Sequence, residues 1–429
     1  MKIWLVQRAE PTPHDDQGSQ RLMRVGNLGK MMAARGHSVV WWTSTFDHNG
    51  GRQRFAQDVR LPVEPGFEIE YVRAPGYKRK RSLARLFADF RLAQRFAVRV
   101  REASERPDLI LASLPDPRMA RDAVSFGRES RVPVVVDVRD FWPDVIYQHV
   151  PSVLRPAGRV VLAPMARATR LALAEADAIT GVTESYVTWA LERGGRQRTE
   201  CDRAFPLAWV PSTVAASELS EAESFWDGLG VRRTPHKLMV VFVGVIGHWA
   251  NFDPVLLAAK ILRQRNLSVQ FVICGDGDAR ADLLAKARDT PELVLPGWIG
   301  KGRMLALLQR ADIGLAAWVD HPNFRSNIGN KVAEYVSAGL PIALSLDRGV
   351  LKELLMARGC GFSYGGRGES LADALAEMLL QPATLDTYKF RANATFREMF
   401  DGNVIYNDMI THLEEVYASH RAFPHGRRS

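Results

Sequence analysis

The chain has 429 residues, 46% of them hydrophobic, with 33 glycines, 23 prolines and no low-complexity tract. That composition excludes disordered and fibrous classes and leaves room for two domains of roughly 200 residues each. The formal charge is +9, from 57 Lys and Arg against 48 Asp and Glu, and the segment 73–106 alone holds eleven basic and three acidic residues, which points to an anionic surface as partner. Cys201, Cys274 and Cys360 lie far apart without C-x-x-C spacing, so neither a disulfide framework nor a zinc site is expected. The apolar start I-W-L-V (3–6) is short for a signal peptide, and no apolar run approaches the ~20 residues that span a bilayer, so a cytoplasmic location is expected.

In chain order, I-W-L-V (3–6), V-V-W-W (39–42), L-I-L-A (109–112), V-V-V-D-V (134–138) and A-I-T-G-V (178–182) predict strands. Helical patterns fit between them; one of these, 27–37, closes at Gly36. The arrangement then repeats with M-V-V-F-V-G (239–244), V-Q-F-V-I-C-G (269–275), L-V-L-P-G (293–297), I-G-L-A-A-W (313–318) and P-I-A-L-S-L (341–346). The expectation is α/β: a first Rossmann-like domain over 1–212, a Pro-, Ser- and charge-rich linker over 213–237, and a second over 238–402, with a helix at about 403–420 packing back on the first.

Open parallel sheets bind ligands beyond the carboxyl ends of their strands. The loops to search are G-V-I-G-H-W after 239–243, G-D-G-D after 269–274, G-W-I-G after 293–296, and V-D-H-P-N-F-R-S after 313–318. The last leads into N-I-G-N-K-V-A-E-Y-V-S-A-G (327–339), read as a helix capped by Asn327 and stopped by Gly339 and Pro341. On that reading Asn327, Lys331 and Glu334 share one face at i, i+4 and i+7, and Gly329 admits a ligand to the backbone. A phosphate would meet the N–H groups of Ile328, Gly329 and Asn330 with the charge of Lys331, and Glu334 one turn on would accept a sugar diol. The alternative is that Lys331 and Glu334 form an ordinary i,i+3 surface pair.

The pattern N-K-V-A-E-Y-V-S-A-G-L-P-I resembles the donor-binding helix of bacterial GT-B glycosyltransferases of family 4. D-V-R-D-F-W-P-D (137–144) resembles the Asp-x-Trp-Pro stretch of the subgroup that builds O-antigen, capsule and exopolysaccharide units, and 271–278, 295–300 and 311–315 resemble second-domain landmarks in the family's order. The spacing from Arg24 to the Arg35-Gly36-His37 turn fits the same subgroup. The resemblance implies two Rossmann-like domains facing a central cleft. It implies a retaining transfer, without a metal cofactor, of a hexose, an N-acetylated amino sugar favoured, from a nucleotide-diphosphate sugar, UDP-sugar favoured, to a polyprenyl-diphosphate-linked saccharide.

Carried over residue by residue, the resemblance puts Glu334 on the donor ribose and Lys331, Gly329 and Asn330 on the diphosphate. Gly244 and Gly247 would allow close backbone approach, Ile299 would lie beside the base, and Arg325 and Asn327 would complete the donor site. Gly18, Arg24 and Asp140, on loops of the first domain, would be the catalytic set facing sugar and acceptor. For Asp140 a helix cap before Trp142 and Pro143 is the alternative, and for Arg24 a surface ion pair. The sequence departs from the family at Ser326, where many members carry a glutamate, and in G-V-I-G-H-W, which lacks the usual Arg and Lys. Lys78, Arg79, Lys80 and Arg81, ahead of an amphipathic helix, are expected to meet the anionic inner face of the cell membrane, where the enzyme would be peripheral.

Three rivals remain beside this reading. An oxidoreductase needs G-x-G-x-x-G at the first turn, which instead reads R-A-E-P-T-P-H-D-D-Q-G-S. A nucleotide-sugar epimerase of the same fold, or a non-catalytic nucleotide-sugar-binding scaffold, stays open. Nucleic acid is not an expected partner, because the basic residues sit in no reader motif.

Overall fold

The runs of β-branched and aromatic residues form strands buried on both faces, the condition of a parallel sheet covered by helices. The structure is a computed structural model that describes residues 1–15, 21–48, 50–79, 82–147, 150–211 and 214–422. The chain divides into a first unit, Met1–Pro206 together with the chain from Val404 onward, and a second unit, Leu207–Asn403.

The first unit holds β1 (Lys2–Val6), β2 (Ser38–Ser44), β3 (Phe46–Asp47), β4 (Arg52–Gln53), β5 (Val59–Glu64), β6 (Phe67–Val72), β7 (Leu109–Leu114), β8 (Val134–Val138), β9 (Ala178–Gly181) and β10 (Arg203–Ala204). Eight form one sheet in the order β10-β9-β8-β7-β1-β2-β6-β5, and β3 pairs with β4 apart from it. Every pairing in the large sheet is parallel except β5 on β6, an antiparallel edge hairpin turned at Gly66, whose φ of +83° requires glycine. The hairpin escaped the sequence reading because Pro62, Glu64, Glu68 and Glu70 break the apolar run; β5 is an edge strand, where proline and charge are tolerated.

The second unit holds β11 (Leu238–Val243), β12 (Val269–Cys274), β13 (Leu293–Gly297), β14 (Ile313–Ala316), β15 (Ile342–Leu344) and β16 (Gly361–Ser363), in the order β13-β12-β11-β14-β15-β16 and all parallel. The order reverses between β11 and β14, which opens a crevice at the carboxyl ends of those strands.

The expected linker over 213–237 is corrected. Ala216–Gly228 is a helix of this unit: Trp226 is wholly buried and its indole N–H donates to the Arg303 carbonyl at 2.8 Å, and the Glu218 carboxylate accepts the Gly302 N–H at 3.0 Å. Its Ser and Glu content hid a single apolar stripe of Ala222 and Trp226. The C-terminal helix Gly402–Ala422 places Met409, Ile410 and Leu413 in the core of the first unit.

Candidate functional site

Three loops at the carboxyl edge of the second sheet lie backbone to backbone. The Gly244 N–H donates to the Cys274 carbonyl at 3.0 Å, the Ile246 N–H to Asp276 at 2.9 Å, and the Gly275 N–H to Gly297 at 2.7 Å. A side chain on Gly275 would put its Cβ 1.7 Å from the Gly244 carbonyl oxygen, and Gly275 has a φ of +143°, so this approach requires glycine. Gly247 lies against the Trp249 ring, and Ile299 is buried beyond β13 beside an exposed Trp298.

The helix that faces these loops is Asn330–Ser337, with Gly329 as its N-cap. Asn327 is therefore a correction: it closes a separate short helix, Pro322–Ser326, in extended conformation (φ −113°, ψ 148°). Pro322 at N1 and the His321 Nδ1, which accepts the Asn323 N–H at 3.3 Å, start that earlier helix and use up the residues before Asn327. Asn327, Lys331 and Glu334 thus share no helical face, and the Asn327 Oδ1 is buried without a hydrogen-bond partner among the described residues. Gly329, Asn330 and Lys331 still present the unpaired N–H groups of a helix start.

Lys331 is the electrostatic centre of the arrangement. Its ammonium lies 3.6 Å from the centroid of the Phe242 ring, and a Cβ on Gly244 would come within 3.0 Å of it. Desolvation pushes the Lys331 pKa down to about 7, against the opposing pull of Glu334. Glu334 is only 3% exposed, so the two are not a solvated surface pair. The helix is held by Tyr335, fully buried, whose hydroxyl accepts the Val243 N–H at 2.9 Å and whose ring packs on Gly314 of β14. Sequence reasoning missed Phe242 and the locking role of Tyr335; the signal was Gly314, a residue without a side chain in the middle of an apolar strand.

Arg325 does not point its charge at this helix start. Its guanidinium pairs with Asp320 (Nη2 to Oδ2, 2.7 Å), which also takes Arg348 at 2.7 Å, and these two arginines hold the Asp320 carboxyl well below the usual carboxylate range.

In the first unit, Arg24 is a further correction. It is the first residue of the helix Arg24–Ala34 rather than a loop residue, and it is 1% exposed. Its Nη1 donates to Asp137 Oδ1 at 2.9 Å, and its Nη2 to the carbonyls of Pro206, at 2.8 Å, and Phe205. Asp137 also accepts the Thr180 hydroxyl at 2.9 Å, so Arg24 ties β8, β9 and the chain after β10 together and is neither a surface pair nor open to substrate. Asp140 lies half-buried two residues beyond β8, and the helix that follows begins at Asp144, so it is not a helix cap. Burial and then the Asp140 charge raise the Tyr186 pKa. Lys78 and Arg79 are exposed; Gly18, Lys80 and Arg81 lie outside the described residues.

A parallel six-stranded sheet whose switch-point loops lie beside a helix start and a buried lysine is a Rossmann-like domain with the features that suit an anion. Comparison with known proteins sharpens the class. Residues 23–201 match the family described as "Glycosyl transferase 4-like domain" and residues 237–381 match "Glycosyl transferases group 1", the two matches following one another along the chain. It is similar to the HepE structure from Anabaena in complex with UDP (TM-score 0.65, 16% identity, 97% of this chain and 100% of that one). It is likewise similar to sucrose-phosphate synthase from Thermosynechococcus elongatus (TM-score 0.68, 16% identity, 97% and 99%). These likenesses show a shared GT-B fold of two Rossmann-like domains. A 2-deoxystreptamine glucosyltransferase from Streptomyces kanamyceticus is 28% identical over 178 residues, 41% of this chain and 44% of that protein, so the match spans less than half of this relative.

Proposed function

We propose that the chain is a glycosyltransferase that moves a hexose, an N-acetylated amino sugar favoured, from a nucleotide-diphosphate sugar to a polyprenyl-diphosphate-linked saccharide. UDP is the favoured nucleotide, and the setting is surface-polysaccharide assembly, as O-antigen, capsule or exopolysaccharide, at the inner face of the cell membrane. The observation that carries the donor half is Lys331: an ammonium buried against Phe242 at the start of a helix, one turn before the buried Glu334. Lys331 and the N–H groups of Gly329 and Asn330 receive the diphosphate and stabilise its growing charge as the anomeric C–O bond breaks. Glu334 accepts the ribose hydroxyls, and Ile299 packs beside the base.

The transfer retains configuration: the acceptor oxygen bonds to the anomeric carbon on the face the diphosphate leaves, and the acceptor hydroxyl proton passes to the departing phosphate oxygen. Asp140 is the residue of the first unit assigned to the sugar and acceptor. The helix start and Lys331 carry the charge stabilisation without a resident metal, so turnover is expected to persist in EDTA.

The test is binding of intact nucleotide sugars measured by thermal shift. A donor present at 100 times its dissociation constant should stabilise by about 2.7 kcal/mol. Glu334→Ala should cost about 1.5–3 kcal/mol of donor affinity while Lys352→Ala leaves it unchanged. A folded Glu334→Ala protein with undiminished affinity, or the absence of any shift across the panel, would overturn the donor assignment.

A further inference from the structure

On the helix Leu83–Glu102, the side chains that pack inward are Ala88, Leu92, Ala93, Phe96 and Val100. Leu83, Phe87 and Phe90, at i, i+4 and i+7, face outward instead, and the Arg118 guanidinium lies 4.8 Å from the Phe90 ring centroid. The same happens on the helix Arg155–Glu175 and the turn before it. Leu162, Met165 and Leu173 pack inward, while Val153, Leu154, Val160 and Val161 stand in solvent. Leu83, Phe87 and these four are between 56% and 83% exposed. The two tips are neighbours: Leu86 of the first packs on the cluster of Trp142, Leu162 and Met165, and Val161 shares a cavity wall with Leu86 and Asp89. Two adjoining helix starts thus expose large apolar groups together, which single scattered surface residues do not explain.

The charges around them have one sign. From Val145 to Ala174 the sequence has four arginines and no Asp or Glu. Arg155 and Arg159 are exposed between the apolar residues, and Lys78 and Arg79 are exposed ahead of the other tip. The only carboxylate on the first tip, Asp89, is turned inward onto Arg8 at 3.1 Å. An apolar surface whose exposed charges, among the described residues of 78–90 and 150–174, are all cations fits the boundary of an anionic bilayer, where valines, leucines and phenylalanine enter the acyl region and Lys and Arg stems reach the phosphates.

We infer that these two helix tips form a membrane-insertion surface, holding the first unit on anionic phospholipid by apolar burial as well as by charge. The inference rests on the membrane half of the function proposed above and not on its donor chemistry. It adds a second element, 153–161, and a contact that salt alone does not release.

The experiment is sedimentation with vesicles of phosphatidylethanolamine and phosphatidylglycerol, and with pure phosphatidylcholine, at low and at high salt. The wild-type chain should bind the anionic vesicles and keep part of that binding at high salt. Leu83→Ser, Phe87→Ser, Val160→Ser and Val161→Ser combined should lower the partition at least tenfold, whereas Lys78→Ser with Arg79→Ser should remove mainly the salt-sensitive part. In a Phe87→Trp chain the added indole should shift to shorter emission wavelength and be quenched by brominated acyl chains. Unchanged sedimentation of the quadruple variant, an unquenched Trp at position 87, or a concentration-dependent dimer that the quadruple variant abolishes would overturn the inference. Thermal shift by nucleotide sugar on the same preparations separates this outcome from failure of the donor reading.

Discussion

At the scale of single residues, Lys331 and Arg24 are buried cations with opposite circumstances. At Lys331 desolvation outweighs the pull of Glu334, and its pKa falls from 10.5 to about 7. Above that pH the ligand-free protein holds it neutral, while a bound diphosphate favours the ammonium, so binding above about pH 7 must take up a proton. Diphosphate affinity should therefore fall as pH rises from 7 towards 9, and calorimetry in buffers of different ionisation enthalpy should count close to one proton taken up at pH 8; zero uptake there would contradict the assignment. Arg24, by contrast, is matched by Asp137 and two carbonyls. Arg24→Met leaves the Asp137 charge with the Thr180 hydroxyl as its donor among the described residues, and breaking a buried pair from one side costs about 3–5 kcal/mol. Chemical denaturation should show that loss, with nucleotide-sugar affinity unaffected in the protein that remains folded.

At the scale of elements, the donor-side loops depend on close backbone contact more than on side chains. Gly275→Ala would force a Cβ into the Gly244 carbonyl oxygen in a backbone region L-residues avoid. The loops after β11 and β12 must then separate, and with them the position of Gly244 beneath Lys331. The expected outcome is a loss of about 1–3 kcal/mol in thermal unfolding together with weakened UDP binding. Gly195→Ala makes a useful control: its φ is +65° but no atom lies within 4 Å of the added Cβ, so it should carry the backbone cost without the loss of binding. The helix Asn330–Ser337 is short, and it is Tyr335 locked onto Val243 and Gly314 that fixes where its first turn points.

At the scale of the whole molecule, the chain leaves its first unit after Pro206 and returns to it at Val404. The returning helix buries Met409, Ile410 and Leu413 completely, and its His412 ring nitrogen meets the Cys201 carbonyl at 3.0 Å. Fully burying such apolar side chains is worth roughly 1.5–3 kcal/mol each, and a domain's net stability is only about 5–15 kcal/mol. A chain ending at Asn403 should accordingly lose cooperative unfolding of the first unit while the second still binds nucleotide, as read by calorimetry and thermal shift. Loss of both together would mean that the second unit does not stand alone.

All ten of the strands marked by apolar runs are present, because a strand covered on both faces must be apolar along its length, and that pattern is local. Gly329, Lys331 and Glu334 were legible for a similar reason: they lie in one contiguous stretch, whereas Gly244 and Gly275 were marked only by their places directly after strands. The edge hairpin β5–β6, the helix over 216–228 and the start of the helix at Asn330 were not, since an edge strand, a one-stripe helix and a competing cap at His321 are decided by what packs against them. Arg24 shows the limit most plainly. Its partner Asp137 is 113 residues away, and only the sheet that sets β8 beside the start of the Arg24 helix turned an apparent surface arginine into a buried structural one. The exposed valines and leucines at 153–161 are the converse case: as a sequence they look like ordinary helix core, and it was the tertiary fold, by burying the opposite side of the helix, that left them facing out.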